Sequence, residues 1–476
     1  MPISKDILIS EYTKALRAKN ASIFLGAGFS AEVFNVLWKG LVKPYADKLD
    51  PVVLDHCDDY SLIMQYYSDK FPNDNFRIEI ANYFKSDVVT KKHEIIAKLP
   101  IQHYWTTNYD TLIENALSKH NKPFDTLYNG DTFADLQNSR EKIVFKCHGD
   151  CNHPESIIIT KGDNDTFENK SFNFVSSILS ELATNKILFI GYSFNDPDIN
   201  YLINKINVNN LKHIPHHLIL KRETEPHKEV FQDMWVKDLE RHSIYTTYID
   251  DYDEIELLLK DIELKYLSGK ILISGSANVY DEYGTAEESK KLIHDIGFSI
   301  IHQFKDQHIE IINGNGYGVG QSLSEGVAEA VVSNDLDFND YFTSYHFSPT
   351  YYKKFEKEPS IEEQWANYRH KMVDKCGIVF FLFGNRLDDN GLIRNAPGVR
   401  KEFEIAHLKN KYVFPIGTTG YMAKELAEEV LGNFEQYNGE LPAIKEILIE
   451  LNKPHVPIKD IVNGIIKIID GVVFRA

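Results

Sequence analysis

Four short polar motifs close four apolar runs in the first half of this sequence. Gly26-Ala27-Gly28-Phe29-Ser30 follows residues 21–25, and Thr106-Thr107-Asn108-Tyr109-Asp110 follows 101–105. His148-Gly149-Asp150 follows 143–147, and Gly191-Tyr192-Ser193-Phe194-Asn195-Asp196 follows 186–190. Glycines at 26 and 28 let a backbone approach a diphosphate, and a helix starting there aims its first N–H groups at the anion. A tight strand-to-helix turn uses the same glycines. Asn108 offers a donor and an acceptor, for ribose hydroxyls or an attacking water, or it caps a loop. A lone histidine after an apolar strand is usually a packing residue. Beside Asn108 and two glycine turns, His148 reads instead as a reactive group, since imidazole titrates near neutral pH. Gly191 and Ser193 form a second small-residue turn, suited to the adenosine half of a dinucleotide or to a plain bend.

The elements that must position these groups follow from the pattern. Short continuous apolar runs between helical segments predict strands of a parallel α/β sheet, whose carboxyl ends form one ligand crevice. Residues 5–19 are expected to form an amphipathic helix. Residues 34–98 read as largely helical, with Trp38, Leu41, Leu62, Ile63 and Tyr66 as core positions. Helices near 198–206, 227–239 and 254–264 and strands near 217–221 and 243–249 complete a first domain, residues 1–265. Tyr266-Leu267-Ser268-Gly269 reads as a short linker.

A second α/β unit, residues 268–476, starts afresh. Its expected strands are 270–273, 308–312, 377–383 and 412–416. The first ends in Ser274-Gly275-Ser276. The second ends in the run Asn313-Gly314-Asn315-Gly316-Tyr317-Gly318-Val319-Gly320, before a helix at 322–332. Strand, glycine turn and helix again describe a phosphate cradle. Arg369 and Glu402 are expected to reach the same crevice, the arginine as a bidentate phosphate ligand and the carboxylate on ribose hydroxyls. A solvated helix face is the competing reading of Arg369. The segment 336–365 carries too many aromatics for a disordered linker and reads as an ordered cover.

The motif series in the first half resembles the sirtuin core. Gly26-Ala27-Gly28-x-Ser30, Thr106-x-Asn108-x-Asp110 and His148-Gly149 stand in sirtuin order. Gly191-Tyr192-Ser193-Phe194 with Asp196 and Asp198 is similar to the variant in bacterial sirtuin-like defence proteins. The resemblance implies cleavage of the nicotinamide–ribose bond of NAD, with residues 34–98 as a lid over the nicotinamide pocket. The cofactor-binding set it implies is Gly26, Ala27, Gly28, Ser30, Asp110, Gly191 and Ser193; Asp110 is read on its own chemistry as a second-layer contact or, preferably, a helix cap. Deacetylase sirtuins add a zinc module of two Cys-x-x-Cys pairs. The four cysteines here, Cys57, Cys147, Cys151 and Cys376, lack that spacing, so no metal is expected. Their Pro-Asp-Phe-Arg segment is absent after Ser30, and Thr107 replaces a glutamine. These departures favour water over acyl-lysine as the acceptor.

The second half resembles the SLOG family, relatives of the LOG phosphoribohydrolases. Its Gly275, Ser276, Gly314, Gly316 and Gly318 match the nucleotide-facing turns. Pro397-Gly398-Val399-Arg400-Lys401-Glu402 is a degenerate form of the LOG signature, which implies binding without chemistry. A sirtuin-like domain followed by a SLOG domain resembles the NAD-hydrolysing effectors of Thoeris antiphage defence. That resemblance implies a cyclic ADP-ribose isomer as activator at Gly275–Glu402, a TIR-domain protein that makes it, and a homo-oligomer of four or more copies. In the expected reaction, nicotinamide leaves as a neutral group from an oxocarbenium-like state. Asn108 orients the water or the ribose, and His148 serves as general base. Protein deacylation and NAD sensing without turnover are the alternatives.

Composition agrees with this reading. A length of 476 residues suggests more than one core, and 43% hydrophobic content can fill them. A formal charge of −18 disfavours a nucleic-acid partner. The apolar runs, such as 378–383, are too short to span a bilayer. An N-terminus without a signal pattern and few, unpaired cysteines point to the cytoplasm.

Overall fold

The computed structural model describes residues 2–36, 38–128, 142–170, 172–193, 197–208, 214–346, 361–388 and 390–474. Phe194, Asn195 and Asp196, the side chain of Asp198, and 347–360 of the expected cover lie outside the described residues. The chain divides into two compact units, Met1–Glu263 and Leu264–Ala476.

Among the described residues of the first unit, seven parallel strands run in the order β3-β4-β2-β1-β5-β6-β7. They are β1 (Ala21–Leu25), β2 (His103–Thr106), β3 (Phe124–Tyr128), β4 (Lys142–Lys146), β5 (Lys186–Ile190), β6 (His216–Lys221) and β7 (Ile244–Ile249). Every residue of β1 is buried, as expected of a central strand covered on both faces. The apolar runs therefore marked the central strands. Edge strand β3 went unread, because Phe-Asp-Thr-Leu-Tyr is half-buried and carries no continuous apolar run.

One face of the sheet packs Phe24, Trp105, Phe145, Phe174, Phe189 and Tyr192. Trp105 and Phe145 stack at 3.9 Å between ring centroids. A separate cluster gathers Val42, Tyr45, Ile63, Met64, Tyr67, Phe76 and Ile80 from helices between 38 and 83 onto Tyr109, Cys151, Ile157 and Ile159. The helical region thus packs directly on the loops that follow β2 and β4. Tyr66 does not join that core. The helix Tyr60–Lys70 turns Ile63, Met64 and Tyr67 inward, which leaves Tyr66 55% exposed.

Among the described residues of the second unit, five parallel strands run in the order β10-β9-β8-β11-β14. These are β8 (Lys270–Ser276), β9 (Glu310–Asn313), β10 (Phe342–Ser344), β11 (Ile378–Phe383) and β14 (Tyr412–Pro415). A hairpin of β12 (Asn385–Leu387) and β13 (Ile393–Asn395) interrupts the series. The interior strand β11 is buried throughout. The C-terminal helix Ile458–Val473 lays Ile461, Ile465, Ile468, Ile469 and Val472 into the same core. The expected linker at 266–269 is a correction, since the helix Glu254–Ser268 runs through it. Ser268 is buried there, its hydroxyl donating to the Lys265 carbonyl at 2.8 Å. Gly377 packs so close that an added Cβ would lie 2.6 Å from Leu267 backbone. No helix among the described residues is long and apolar enough to cross a membrane.

Candidate active site

Register sets the candidate catalytic residues on the loops after neighbouring strands, and of the two only Asn108 lines the cavity described below. Thr106 of β2 pairs with Lys146 of β4, so Asn108 and His148 each follow two residues after adjacent strand ends. The Asn108 side chain is anchored across the crevice. Its Nδ2 donates to the Gly26 carbonyl at 3.2 Å and to Ser30 Oγ at 3.1 Å. With the amide donors turned to protein, the Oδ1 acceptor remains for a ligand. Ser30, buried on the helix Ala27–Phe34, also hydrogen-bonds Asp110. Asp110 Oδ1 accepts the Leu112 N–H at 3.0 Å at the start of the helix Leu112–Lys119. Asp110 thus satisfies the first N–H of that helix from the residue before its N-cap, Thr111, and it also lines the cavity.

Ser30, Thr107, Asn108 and Asp110 form the polar side of a cavity of about 50 Å³. Its apolar side is Phe34, Val36, Trp38, Leu41, Phe84 and Tyr109. Sequence reasoning assigned the 34–98 region as a lid but named no lining residue. The walls belong to different helices and meet only through the fold.

The glycine turns fit together for a steric reason. Gly28 N–H donates to the Gly191 carbonyl at 2.9 Å, and Gly26 N–H to Ile190 at 2.9 Å. A Cβ on Gly26 or Gly28 would lie 2.7 or 2.9 Å from the Gly191 oxygen. Gly191 has φ +87°, and its own Cβ would meet Phe29 N at 2.5 Å. Three glycines thus let the turn after β1 lie against the turn after β5. Ser193 beyond them is exposed.

His148 is half-buried, and its carbonyl accepts the Ile158 N–H at 2.9 Å. Gly149 follows with φ +96°, its α-carbon pressed on Ser156, where a Cβ would stand 2.3 Å from the carbonyl oxygen. The loop therefore folds back on itself and crosses to the Asn108 loop. Cys151 N–H donates to the Tyr109 carbonyl at 2.9 Å, and Tyr109 Oη to the Ile158 carbonyl at 2.8 Å.

Beneath both loops lies Lys146, fully buried at the end of β4. Its ammonium meets Asp150 at 2.5 Å and Glu114 at 3.3 Å, and donates to the Tyr109 and Asp110 carbonyls. Burial alone would lower the affinity of this amine for its proton. Glu114, Asp150 and Asp110 outweigh burial and raise it. Burial pushes the Asp110 and Glu114 carboxyls up, against the pull of Lys146. The sequence signal was available: a lysine inside an apolar parallel strand must be paired.

In the second unit the two glycine loops also touch. A Cβ on Gly316 would lie 1.9 Å from the Gly275 oxygen, and one on Gly318 (φ +72°) 2.1 Å from the Ala277 oxygen. Ala277 N–H donates to the Tyr317 carbonyl at 2.7 Å, and Ser276 Oγ to the Asn385 carbonyl at 3.0 Å. Gly314 opens the run as a half-buried residue after β9. Arg369 and Glu402 do come together, with Nε 3.5 Å from the carboxylate and both side chains largely buried. The solvated-face reading of Arg369 is thereby excluded. Ser274 Oγ donates to the other Glu402 oxygen at 2.6 Å. Burial pushes the Glu402 carboxyl up, and Ser274 and Arg369 oppose it.

Known proteins share this arrangement of units. Residues 102–240 match the family described as SIR2-like domain, and residues 254–472 match STALD, the Sir2- and TIR-associating SLOG family. The chain is 33% identical to the NAD(+) hydrolase ThsA of Bacillus cereus (strain MSX-D12), over 98% of each chain. It is 33% identical to the NAD(+) hydrolase ThsA of Cytobacillus dafuensis, over 98% of this chain and 97% of that one. Defense-associated sirtuin 2 of Bacillus subtilis is 29% identical over 41% of this chain and 20% of its own.

Proposed function

This chain belongs to the family of the ThsA NAD(+) hydrolases, and from that premise we propose how its residues cleave NAD. The observation that carries the reading is the cavity in which Asn108, Ser30 and Asp110 face an apolar wall. The nicotinamide ring lies against Phe34, Trp38, Leu41 and Phe84, shielded from bulk water. The diphosphate lies over the start of the helix Ala27–Phe34, where the helix dipole favours an anion. The adenosine half extends toward Gly191 and Ser193.

Nicotinamide departs as a neutral molecule, so its departure needs no acid. Positive charge then builds on the ribose. Asn108 Oδ1 accepts a hydrogen bond from the attacking water or a ribose hydroxyl and fixes its direction. His148 takes the proton as the water oxygen bonds to the anomeric carbon, giving ADP-ribose. No step calls for a metal.

The second unit holds the regulatory signal. Gly275, Ser276, Gly314, Gly316 and Gly318 bring two loops close enough to cradle a phosphate, and Arg369 with Glu402 stands beside Ser274. A cyclic ADP-ribose isomer made by a TIR-domain protein is the activator, a reading supported by the family's description as TIR-associating. It activates by binding the working arrangement of a homo-oligomer, a tetramer or larger, more tightly than the resting one. The setting is antiphage defence in the cytoplasm, where NAD depletion halts phage growth.

The test is nicotinamide release from NAD by the pure protein, with and without cyclic ADP-ribose isomers and an acetylated peptide. Release without peptide, stimulated by an isomer, supports the reading. Release only with peptide replaces it by deacylation. Binding without release reduces the chain to an NAD sensor.

A further inference from the structure

We propose that Lys146 is a positioning residue that holds the Asn108 and His148 loops in one working geometry; the inference rests on the hydrolase reading above. The argument is spatial. The ammonium donates to the carbonyls of Tyr109 and Asp110, the two residues after Asn108. It also meets Asp150, two residues after His148, and Glu114 on the helix that begins after Asp110. One charge therefore touches both loops and the helix that carries the first of them. Neutral bonds close the same seam, from Cys151 N–H to Tyr109 and from Tyr109 Oη to Ile158. Lys146 is the charged group at its centre, with none of its surface exposed. No part of it lines the cavity beside Asn108.

A purely structural lysine on the same strand supplies the comparison. Lys142, at the other end of β4, is also buried. Its ammonium donates to the carbonyls of Leu99 and Ile101 and to Tyr104 Oη. These partners lie at the opposite end of the strand from the candidate site. Both lysines anchor backbone, but only one anchors the loops that carry Asn108 and His148.

The experiment compares Lys146→Met, Lys142→Met and Asp150→Asn in the full chain. It reads thermal midpoint, steady-state NAD hydrolysis, and amide hydrogen exchange of peptides spanning 107–115 and 147–153. Both methionine variants should lose thermal stability. Lys146→Met should lose kcat by at least about tenfold and up to about 10²-fold, the scale of a misplaced reacting group, with KM changed less than about threefold. Lys142→Met, assayed well below its midpoint, should keep wild-type kcat. Exchange should quicken in both loops of Lys146→Met and in neither loop of Lys142→Met. If Lys146→Met does not fold, Asp150→Asn decides, with the same fall in kcat and the same loop exchange expected. A folded Lys146→Met with kcat within about threefold of wild type and unchanged loop exchange overturns the proposal. So does an equal loss of kcat in Lys142→Met. The exchange arm needs no turnover, so a wild type that fails to hydrolyse NAD both with and without cyclic ADP-ribose isomers refutes the hydrolase reading separately.

Discussion

Replacing Gly191 by alanine tests whether the two glycine turns of the first unit support the candidate active site. The residue sits at φ +87°, where an L side chain costs about 1–2 kcal/mol. The new methyl would stand 2.5 Å from Phe29 N and 2.6 Å from the Gly26 oxygen. Both are backbone atoms, which cannot swing aside as a flexible side chain can. Overpacking of this kind costs about 1–3 kcal/mol more. The sum, about 2–5 kcal/mol, is a large part of the total stability of an ordinary domain. For a unit of this size each kcal/mol moves the midpoint by about 2–4 °C, so a fall of about 4–20 °C is expected. Relief requires the turn after β1 to retreat by about half an ångström or more, because real Cβ atoms essentially never come under 3.0 Å. That turn carries the Gly26 carbonyl on which Asn108 Nδ2 rests. Turnover should therefore fall at least about tenfold even where the variant is fully folded. The assay is a thermal melt beside NAD hydrolysis measured about 20 °C below the variant's midpoint. A midpoint within about 1 °C of wild type, with full turnover, would refute the packing argument.

Further outcomes are expected. Asn108→Ala and His148→Ala should each cut turnover by about 10²-fold or more while the melting curve persists; a folded, nearly fully active His148→Ala removes the imidazole from the mechanism. Burial depresses the pKa of His217 to about 3, and no described residue bonds either ring nitrogen. Its unfolded pKa is about 6.5, so the unfolded chain binds the extra proton and stability is lost as pH falls from that value toward the folded pKa. At pH 5 the loss is about 2 kcal/mol relative to pH 8, and His217→Phe should lack it. Melts of both proteins across that range check this, and a difference between them that ignores pH contradicts it. Arg369→Ala should raise the concentration of cyclic ADP-ribose isomer needed for half-activation without altering NAD binding; an unchanged midpoint excludes Arg369 from the sensor.

Much of this architecture was legible along the chain. Parallel strands buried on both faces must be continuous apolar runs, so β1, β5 and β11 could be read directly. Polar residues closing such runs gather at one edge of a parallel sheet, so the motifs could be assigned to one crevice, but that the strands before Asn108 and His148 are neighbours was decided by the fold. Contacts between distant segments were decided only by the tertiary structure. Tyr67 rather than Tyr66 faces the core because the helix's rotation is set by what it packs on. The cavity wall unites Phe34, Trp38 and Phe84 through the packing of separate helices. The glycines at 26, 28 and 191 serve one another's backbones, a relation invisible until β1 and β5 are neighbours. Sequence alone could say that a lysine within Lys-Ile-Val-Phe-Lys must find partners. Which carboxylates and carbonyls those are depends on three segments meeting in space, and local pattern carries no information about that meeting.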